Sequence, residues 1–289
     1  MAGSLAGHFS SFLFLFPLGL RRLLCSFSLY LKNPSLFKSK TWYLSEPRWK
    51  NLDLYILLLA LPIASFSDIF LFLTFSGNPT YQYAFFLQSF VILLFWVLII
   101  LILVRENFDT LLIHEGFVFI FAGISFLVEY STQGDGSTGL AGLVYELLGE
   151  LTLVCAASCL YLSIKPSAFF AEFLLSSGLI FKATWILQAG LSLYSDTFCL
   201  EGCGKISISP APGKADVQCA LEEDSLRGMS LMNVLFTGHA VGVLVISFVV
   251  FGLLSVYGNR RCTEGRGPLL DGLESESSLM SSLPQFEIE

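Results

Sequence analysis

The sequence predicts an all-α, polytopic membrane protein built as a bundle of seven transmembrane helices. Of its 289 residues, 54% are hydrophobic and only 13% are charged, and the mean hydropathy is +0.72. An ordinary soluble domain carries about 25% charged residues. Seven apolar runs approach or exceed the roughly 20 residues that a helix needs to cross a bilayer. Polar loops separate these runs, and lysine and arginine are concentrated in alternate loops, as topology rules require.

One transmembrane domain over residues 1–258 accounts for all seven runs. The predicted helices cover about 5–31, 52–75, 82–104, 111–130, 140–164, 168–194 and 229–257. In the first helix, Arg21 and Arg22 follow the apolar run instead of preceding it, which is not the order of a cleavable signal peptide. We expect these long cationic side chains to reach the membrane interface. Residues 259–289 are rich in serine and glutamate without periodicity, which predicts a disordered tail.

The distribution of basic residues predicts the orientation of the bundle. Twelve of the sixteen lysines and arginines lie on one side of the seven predicted spans, and three lie on the other, all within residues 195–228. The positive-inside rule therefore predicts a lumenal or extracellular N-terminus and a cytoplasmic C-terminus, in an endomembrane or the plasma membrane. The long loop at 195–228 would face an oxidising compartment, where disulfides persist.

The fifth helix is the predicted centre of the bundle. Its apolar run at 140–164 carries Glu146 and Glu150. These residues are four positions apart, so both carboxylates should lie on one helix face. Carboxylates at membrane depth are costly and seldom face lipid, so we expect other helices to close around this face.

Ionisable residues from six helices are predicted to share the outer half of the bilayer. With about 1.5 Å of rise per residue, the predicted spans place the following residues there: His8, Asp68, Glu129, Glu146, Glu150, Lys182 and His239. Lys182 is the expected partner of Glu150 or Glu146, because a buried unpaired charge would be neutralised. The pattern fits ion pairs that hold helices together, a ligand, proton or transport site, or a metal site. The first two interpretations are favoured, since no metal-ligand spacing is present.

The sequence lacks the motifs of several common metal sites, hydrolases and phosphate-binding proteins. The chain contains no zinc-type cysteine pair, no HExxH and no GxSxG, and its QGDGSTG segment does not match a phosphate-binding P-loop. No basic patch with interleaved aromatics points to nucleic acid. We therefore expect no catalytic, metal or cofactor-binding residues and no nucleic-acid partner. The expected partners are the lipid bilayer and an unidentified small molecule or protein.

Two stretches near the C-terminus resemble the transmembrane protein 45 family, also known as domain of unknown function 716. One is KPSAFFAEFLLSSGLIFKATWILQAGLSLY, and the other runs from EGCGKISISP to MSLMNVLFTGHAVG. The family pattern in the second stretch matches Cys203, Cys219, Arg227, Ser230, Asn233 and His239. The opening Gly7-His8, the segment WKNLDLYI and Glu129 are also similar to the family.

The resemblance implies a multi-pass protein with seven helices. It also implies a disulfide between Cys203 and Cys219 in the long loop, and it leaves Cys199 unassigned. The chain departs from the family, which is richer in intramembrane histidines. Glu146 stands where a histidine is expected, and Lys182 stands where glutamine is usual. If the family's histidines bind a metal, this chain is expected to have lost or altered that site.

The function expected from these observations is non-enzymatic. We expect interaction, trafficking or small-ligand binding through a polar cavity that opens towards the outer side. One alternative is a proton-coupled carrier using Glu146, Glu150 and Lys182, although no inverted repeat is evident in the hydropathy pattern. Another alternative is a metal-dependent intramembrane hydrolase, which would require His8 and His239 to converge with carboxylates on one ion.

Overall fold

The computed structural model describes residues 5–44, 51–74, 79–107, 114–133, 139–195, 203–207, 215–219 and 221–264. In this part of the chain, seven long helices and one small β-hairpin follow each other. The helices are α1 (Leu5–Lys32), α2 (Leu52–Thr74), α3 (Pro79–Asn107), α4 (Glu115–Thr132), α5 (Gly139–Ile164), α6 (Phe169–Tyr194) and α7 (Glu222–Glu264). The all-α membrane bundle predicted from composition and hydropathy is confirmed, since all seven helices are long and apolar enough to cross a membrane.

The helices alternate in direction, so the bundle has two distinct ends. The hairpin end holds the starts of α1, α3 and α5, the ends of α2 and α4, and the β-hairpin. The first-loop end holds residues 33–44, which connect α1 to α2, and the turn at 165–168. The tail from residue 265 lies outside the described residues.

α6, and not α5, is the central helix of the bundle, which corrects the expectation from the two glutamates. In its apolar window 78% of the residues are buried, against 56% for α5 and 6% for α7. α6 packs along α1 on one side and α5 on another, and it also contacts α7. Trp185 lies at its centre, fully buried, and its indole N–H donates to the Val144 carbonyl of α5 at 3.2 Å.

Two glycines let α1 and α6 approach closely. A Cβ atom at Gly190 would lie 2.6 Å from Cβ of His8, and a Cβ atom at Gly19 would lie 3.0 Å from the Ile180 backbone nitrogen. Both contacts are shorter than ordinary packing allows. Small residues at a crossing are a standard way to bring helices together in lipid, where hydrophobic association contributes little.

The long loop contains a short antiparallel hairpin that the sequence did not predict. β1 (Cys203–Ser207) pairs with β2 (Ala215–Cys219), with Cys203 directly opposite Cys219. These two cysteines form a disulfide, which confirms the pairing implied by the family resemblance. β2 contacts α5, α6 and α7, so the hairpin covers this end of the bundle. Cys199 lies outside the described residues.

α7 begins earlier than the apolar run suggested. It starts at Glu222, so Glu222, Glu223 and Asp224 form its first turn, where acidic side chains favour the helix dipole. Hydropathy alone predicts that these three residues lie in the loop. It identifies the apolar part of a helix, and it cannot show that the helix extends into the polar residues before that part.

Candidate functional site

A cavity lies inside the bundle, between α1, α2, α3, α4 and α6. Its volume is about 320 Å³. The middle of its wall is apolar and includes Leu18, Leu61, Phe95, Ile99, Phe119 and Leu179. The cavity is at the lower end of the size range for small-molecule sites, and its largely apolar lining with a few polar groups is typical of them.

The cavity exists because two helix pairs stand apart. α1 packs along α6, and α2 packs along α3, whereas α1 and α2 hardly touch each other. The side chains of Arg21 on α1 and Asp53 on α2 form an ion pair that joins the two helices at the first-loop end. Away from that ion pair, the space between α1 and α2 remains open.

A buried ion pair lies at the end of the cavity nearer the hairpin. Nζ of Lys182, on α6, lies 2.5 Å from Oε2 of Glu129, on α4, and the Lys182 side chain is only 3% exposed. The Gln133 amide donates to the other carboxylate oxygen of Glu129 at 3.1 Å. The lysine ammonium also lies 5.1 Å from the centre of the Phe126 ring. Both Lys182 and Glu129 line the cavity.

This arrangement corrects the predicted pairing of Lys182 with Glu146 or Glu150. Both glutamates are exposed on the surface of α5, and no ion pair joins them to another described residue. The spacing correctly put them on one face, but α6 packs against the opposite side of α5. Glu129 was a candidate, yet its helix-end position gave no sign that α4 and α6 would bring it to Lys182.

The remaining predicted site residues are not gathered at the Lys182–Glu129 pair. His8 is fully buried between α1, α5 and α6, where its Nε2 atom lies 3.5 Å from the Tyr145 hydroxyl and its ring lies 5.2 Å from the Tyr194 ring. His239, on α7, packs edge-on against Trp185 at 5.9 Å. Asp68 is buried on α2. No group of three metal-ligating side chains occurs in the described residues.

A second polar cluster closes the first-loop end of the cavity. Nη2 of Arg22, on α1, lies 2.6 Å from Oε2 of Glu172, on α6, which is fully buried. The Ser39 hydroxyl, in the connection between α1 and α2, donates to the same oxygen. Arg22 also donates to the Thr41 carbonyl at 2.9 Å. The two arginines were expected to extend to the membrane interface. Arg22 instead points into the bundle, because it pairs with the buried carboxylate of Glu172.

The first loop is folded into the bundle by these arginines. Arg21 donates to the Tyr43 carbonyl and to the Asn51 side chain, both at 2.7 Å. On the neighbouring side, Glu115 accepts the Thr41 backbone N–H at 2.7 Å and the Arg105 guanidinium at 3.2 Å. Thr41, Trp42 and Tyr43 line the cavity, so the loop forms its floor.

Tyr43 contributes a neutral hydroxyl group to this floor. Burial raises the pKa of the Tyr43 phenol, and the nearby Glu172 carboxylate raises it further. The phenol therefore stays protonated at physiological pH. The sequence did not identify Glu172, Glu115 or Tyr43 as site residues. Glu172 and Glu115 each lie in the first turn of a helix, and their partners Arg22 and Arg105 follow the apolar runs of other helices.

The charges that line the cavity are balanced. Lys182 is paired with Glu129, Arg22 with Glu172 and Arg21 with Asp53. Lys182 and Glu172 are ten residues apart on α6, which corresponds to about 15 Å along the helix. The site is thus an apolar channel with one ion pair at the hairpin end and two ion pairs at the first-loop end.

Part of the chain matches a known protein family. No curated protein gave a significant match to the chain. Residues 113–252, which include α4, α5, α6, the hairpin and most of α7, match the model of a family of unknown function, DUF716. This family corresponds to the one suggested by the sequence motifs. The region from residue 113 to residue 252 therefore matches the DUF716, or transmembrane protein 45, family.

Proposed function

We propose that this multi-pass membrane protein binds a small, mostly apolar molecule inside its helix bundle. The observation that carries the proposal is the 320 Å³ cavity, with its apolar middle and its balanced ion pairs at both ends. A cavity of this kind suits a molecule that partitions into the bilayer. Binding would serve a non-enzymatic role, such as sensing, holding or presenting such a molecule.

The carrier hypothesis is less well supported by the positions of the glutamates. It requires Glu146 and Glu150 to line a path through the bundle, but both lie on the exposed face of α5. The hydrolase hypothesis requires His8 and His239 to meet on one metal ion. In the described residues, His8 instead packs against Tyr194, and His239 packs against Trp185.

We also propose that the first-loop end faces the cytosol. This orientation places the Lys- and Arg-rich connections on the cytosolic side. It places the Cys203–Cys219 disulfide in the lumen or outside the cell, where such a bond is stable.

Native mass spectrometry of the purified protein tests the binding proposal. The wild-type chain should retain a co-purified small molecule after the detergent is removed. Ala122 lines the cavity, so Ala122→Phe should fill it and abolish the adduct. Val245→Phe is the matched control, because Val245 lies exposed on α7. A wild-type protein without an adduct, or an adduct equally retained by Ala122→Phe, contradicts the proposal.

A further inference from the structure

The cavity opens sideways between α1 and α2, at membrane depth. Three residues line the cavity and are also exposed on the outer surface: Ser10 and Phe14 on α1 and Ala64 on α2. The two helices hardly touch along this stretch. A molecule dissolved in the bilayer can therefore reach the cavity laterally, without passing through water.

Hydrogen-bond donors remain available at the hairpin end of the cavity. A lysine ammonium has three N–H donors. Among the described residues, Lys182 donates to Glu129 alone, and Phe126 supplies only a ring face. Gln88, on α3, also lines the cavity and is half-buried, and its amide makes no hydrogen bond to another described residue. Polar groups in an apolar surrounding are costly unless they find partners, so these groups favour an oxygen-bearing ligand.

The ion pair between Lys182 and Glu129 determines which oxygen-bearing group can bind beside it. Lys182 is already neutralised by Glu129, so a carboxylate or phosphate would approach a carboxylate with no opposite charge left to compensate it. A cationic head would meet the ammonium of Lys182 itself. A neutral acceptor, such as an ester carbonyl or a hydroxyl group, can take the spare N–H donors without adding a buried charge.

The apolar channel then accommodates the rest of the ligand. It runs about 15 Å from Lys182 towards the Arg22–Glu172 pair, between Leu61 of α2, Ile99 of α3 and Leu179 of α6. Most of the side chains that line the cavity are apolar, which suits a hydrocarbon chain. Resting on the proposed function, we infer that the cavity binds a neutral, single-chain amphiphile, with its oxygen-bearing head at Lys182 and Gln88 and its chain towards the first loop.

Four C18 probes with different heads test this inference on the full-length protein in detergent. They are monoolein (neutral ester and hydroxyls), oleate (anionic), oleylamine (cationic) and octadecene (no polar head), each titrated by native mass spectrometry. Monoolein should bind about tenfold or more tightly than each of the other three, which corresponds to one charge-assisted hydrogen bond. If oleate, oleylamine or octadecene binds as tightly as monoolein, the inference is overturned while the binding proposal stands. If none of the four binds, both fail.

Variants locate the head group. Gln88→Leu should weaken monoolein several-fold and leave octadecene unchanged, since it removes a polar partner and keeps an apolar wall. The double variant Lys182→Met/Glu129→Gln should remove most of the remaining preference for monoolein over octadecene without leaving an unpaired charge. Val245→Phe is the surface control and should bind all four probes like the wild type. An unchanged preference in Gln88→Leu, or in the double variant where it folds, overturns the placement of the head.

Discussion

At the scale of single residues, the Lys182–Glu129 pair is the best example of what sequence can and cannot reveal. Both residues could be identified as candidates, because charged side chains inside apolar runs are costly and rarely without a role. Their pairing could not be identified. It depends on the rotation of α4 and α6, which is determined by packing around residues such as Phe126 and Trp185 and not by spacing along either helix.

The ion pair should stabilise the bundle only while both partners are present. Glu129→Gln leaves a 3%-exposed ammonium without its carboxylate, which should cost about 3 kcal/mol and lower the thermal midpoint. Lys182→Gln/Glu129→Gln should recover most of that loss, because no unpaired charge remains. The midpoint can be measured by scanning fluorimetry in detergent.

Glu146→Gln is the matched control for this pair. Its side chain is exposed and has no described ion-pair partner, so the change should alter stability by less than about 0.5 kcal/mol. Equal losses in Glu129→Gln and Glu146→Gln would show that Lys182 does not depend on Glu129.

At the scale of elements, helix existence was predictable and helix environment was not. Hydropathy identified all seven helices, because a helix that crosses the bilayer must be apolar along its length whether it faces lipid or other helices. It could not show that α6 is central, since a buried helix and a lipid-facing helix are both apolar in a membrane. The glycines at the α1–α6 crossing indicate the central helix only once the two helices are placed side by side.

The α1–α6 crossing should tolerate no side chain at Gly190. Gly190→Ala would put a Cβ atom 2.6 Å from Cβ of His8, forcing the helices apart at a cost of about 1–3 kcal/mol. Gly242→Ala, on α7, is the control, because nothing except the adjacent backbone of α7 lies within 4 Å of the added methyl group and the change favours the helix. A lower thermal midpoint is expected for Gly190→Ala alone. Equal midpoints would contradict the close approach.

The β-hairpin should depend on its disulfide. In the chain-entropy model, closing a loop of about 15 residues contributes roughly 3 kcal/mol, and Cys203 and Cys219 are 16 residues apart. Cys203→Ser should therefore lower the thermal midpoint, and adding a reductant should lower the wild-type midpoint but leave that of the variant unchanged. A reductant effect of the same size in both proteins would place the sensitive bond elsewhere.

At the scale of the whole molecule, charge distribution predicts an orientation, and the folded first loop provides a way to measure it. Leu36 is 73% exposed at the first-loop end, whereas Ser39, three residues later, is fully buried against Glu172. In a background that keeps only the disulfide cysteines Cys203 and Cys219, Leu36→Cys should react with a membrane-impermeant maleimide only after the plasma membrane or vesicle is opened. Ser39→Cys should remain unlabelled in both cases.

Two results of that labelling experiment would contradict the account. Labelling of Leu36→Cys in intact cells or right-side-out vesicles would reverse the orientation. Rapid labelling of Ser39→Cys in the folded protein would mean that the loop does not form the floor of the cavity.

The cavity itself is a property of the whole bundle, which explains why it could not be located from the sequence. The positions of charged residues in the sequence predict a polar cavity near one leaflet, built around Glu146 and Glu150. The folded chain instead has an apolar cavity bounded by ion pairs at both ends. The cavity forms because α1 packs along α6 while α2 packs along α3. No local sequence pattern predicts that the α1–α6 pair and the α2–α3 pair stand apart.

An experimental structure in lipid nanodiscs tests this central claim most directly. We predict elongated non-protein density between α1, α2, α3, α4 and α6, extending from Lys182 towards Arg22, with a lateral opening between Phe14 and Ala64. A bundle in which α1 and α2 close against each other, so that the space between Lys182 and Arg22 is filled by side chains, would contradict it.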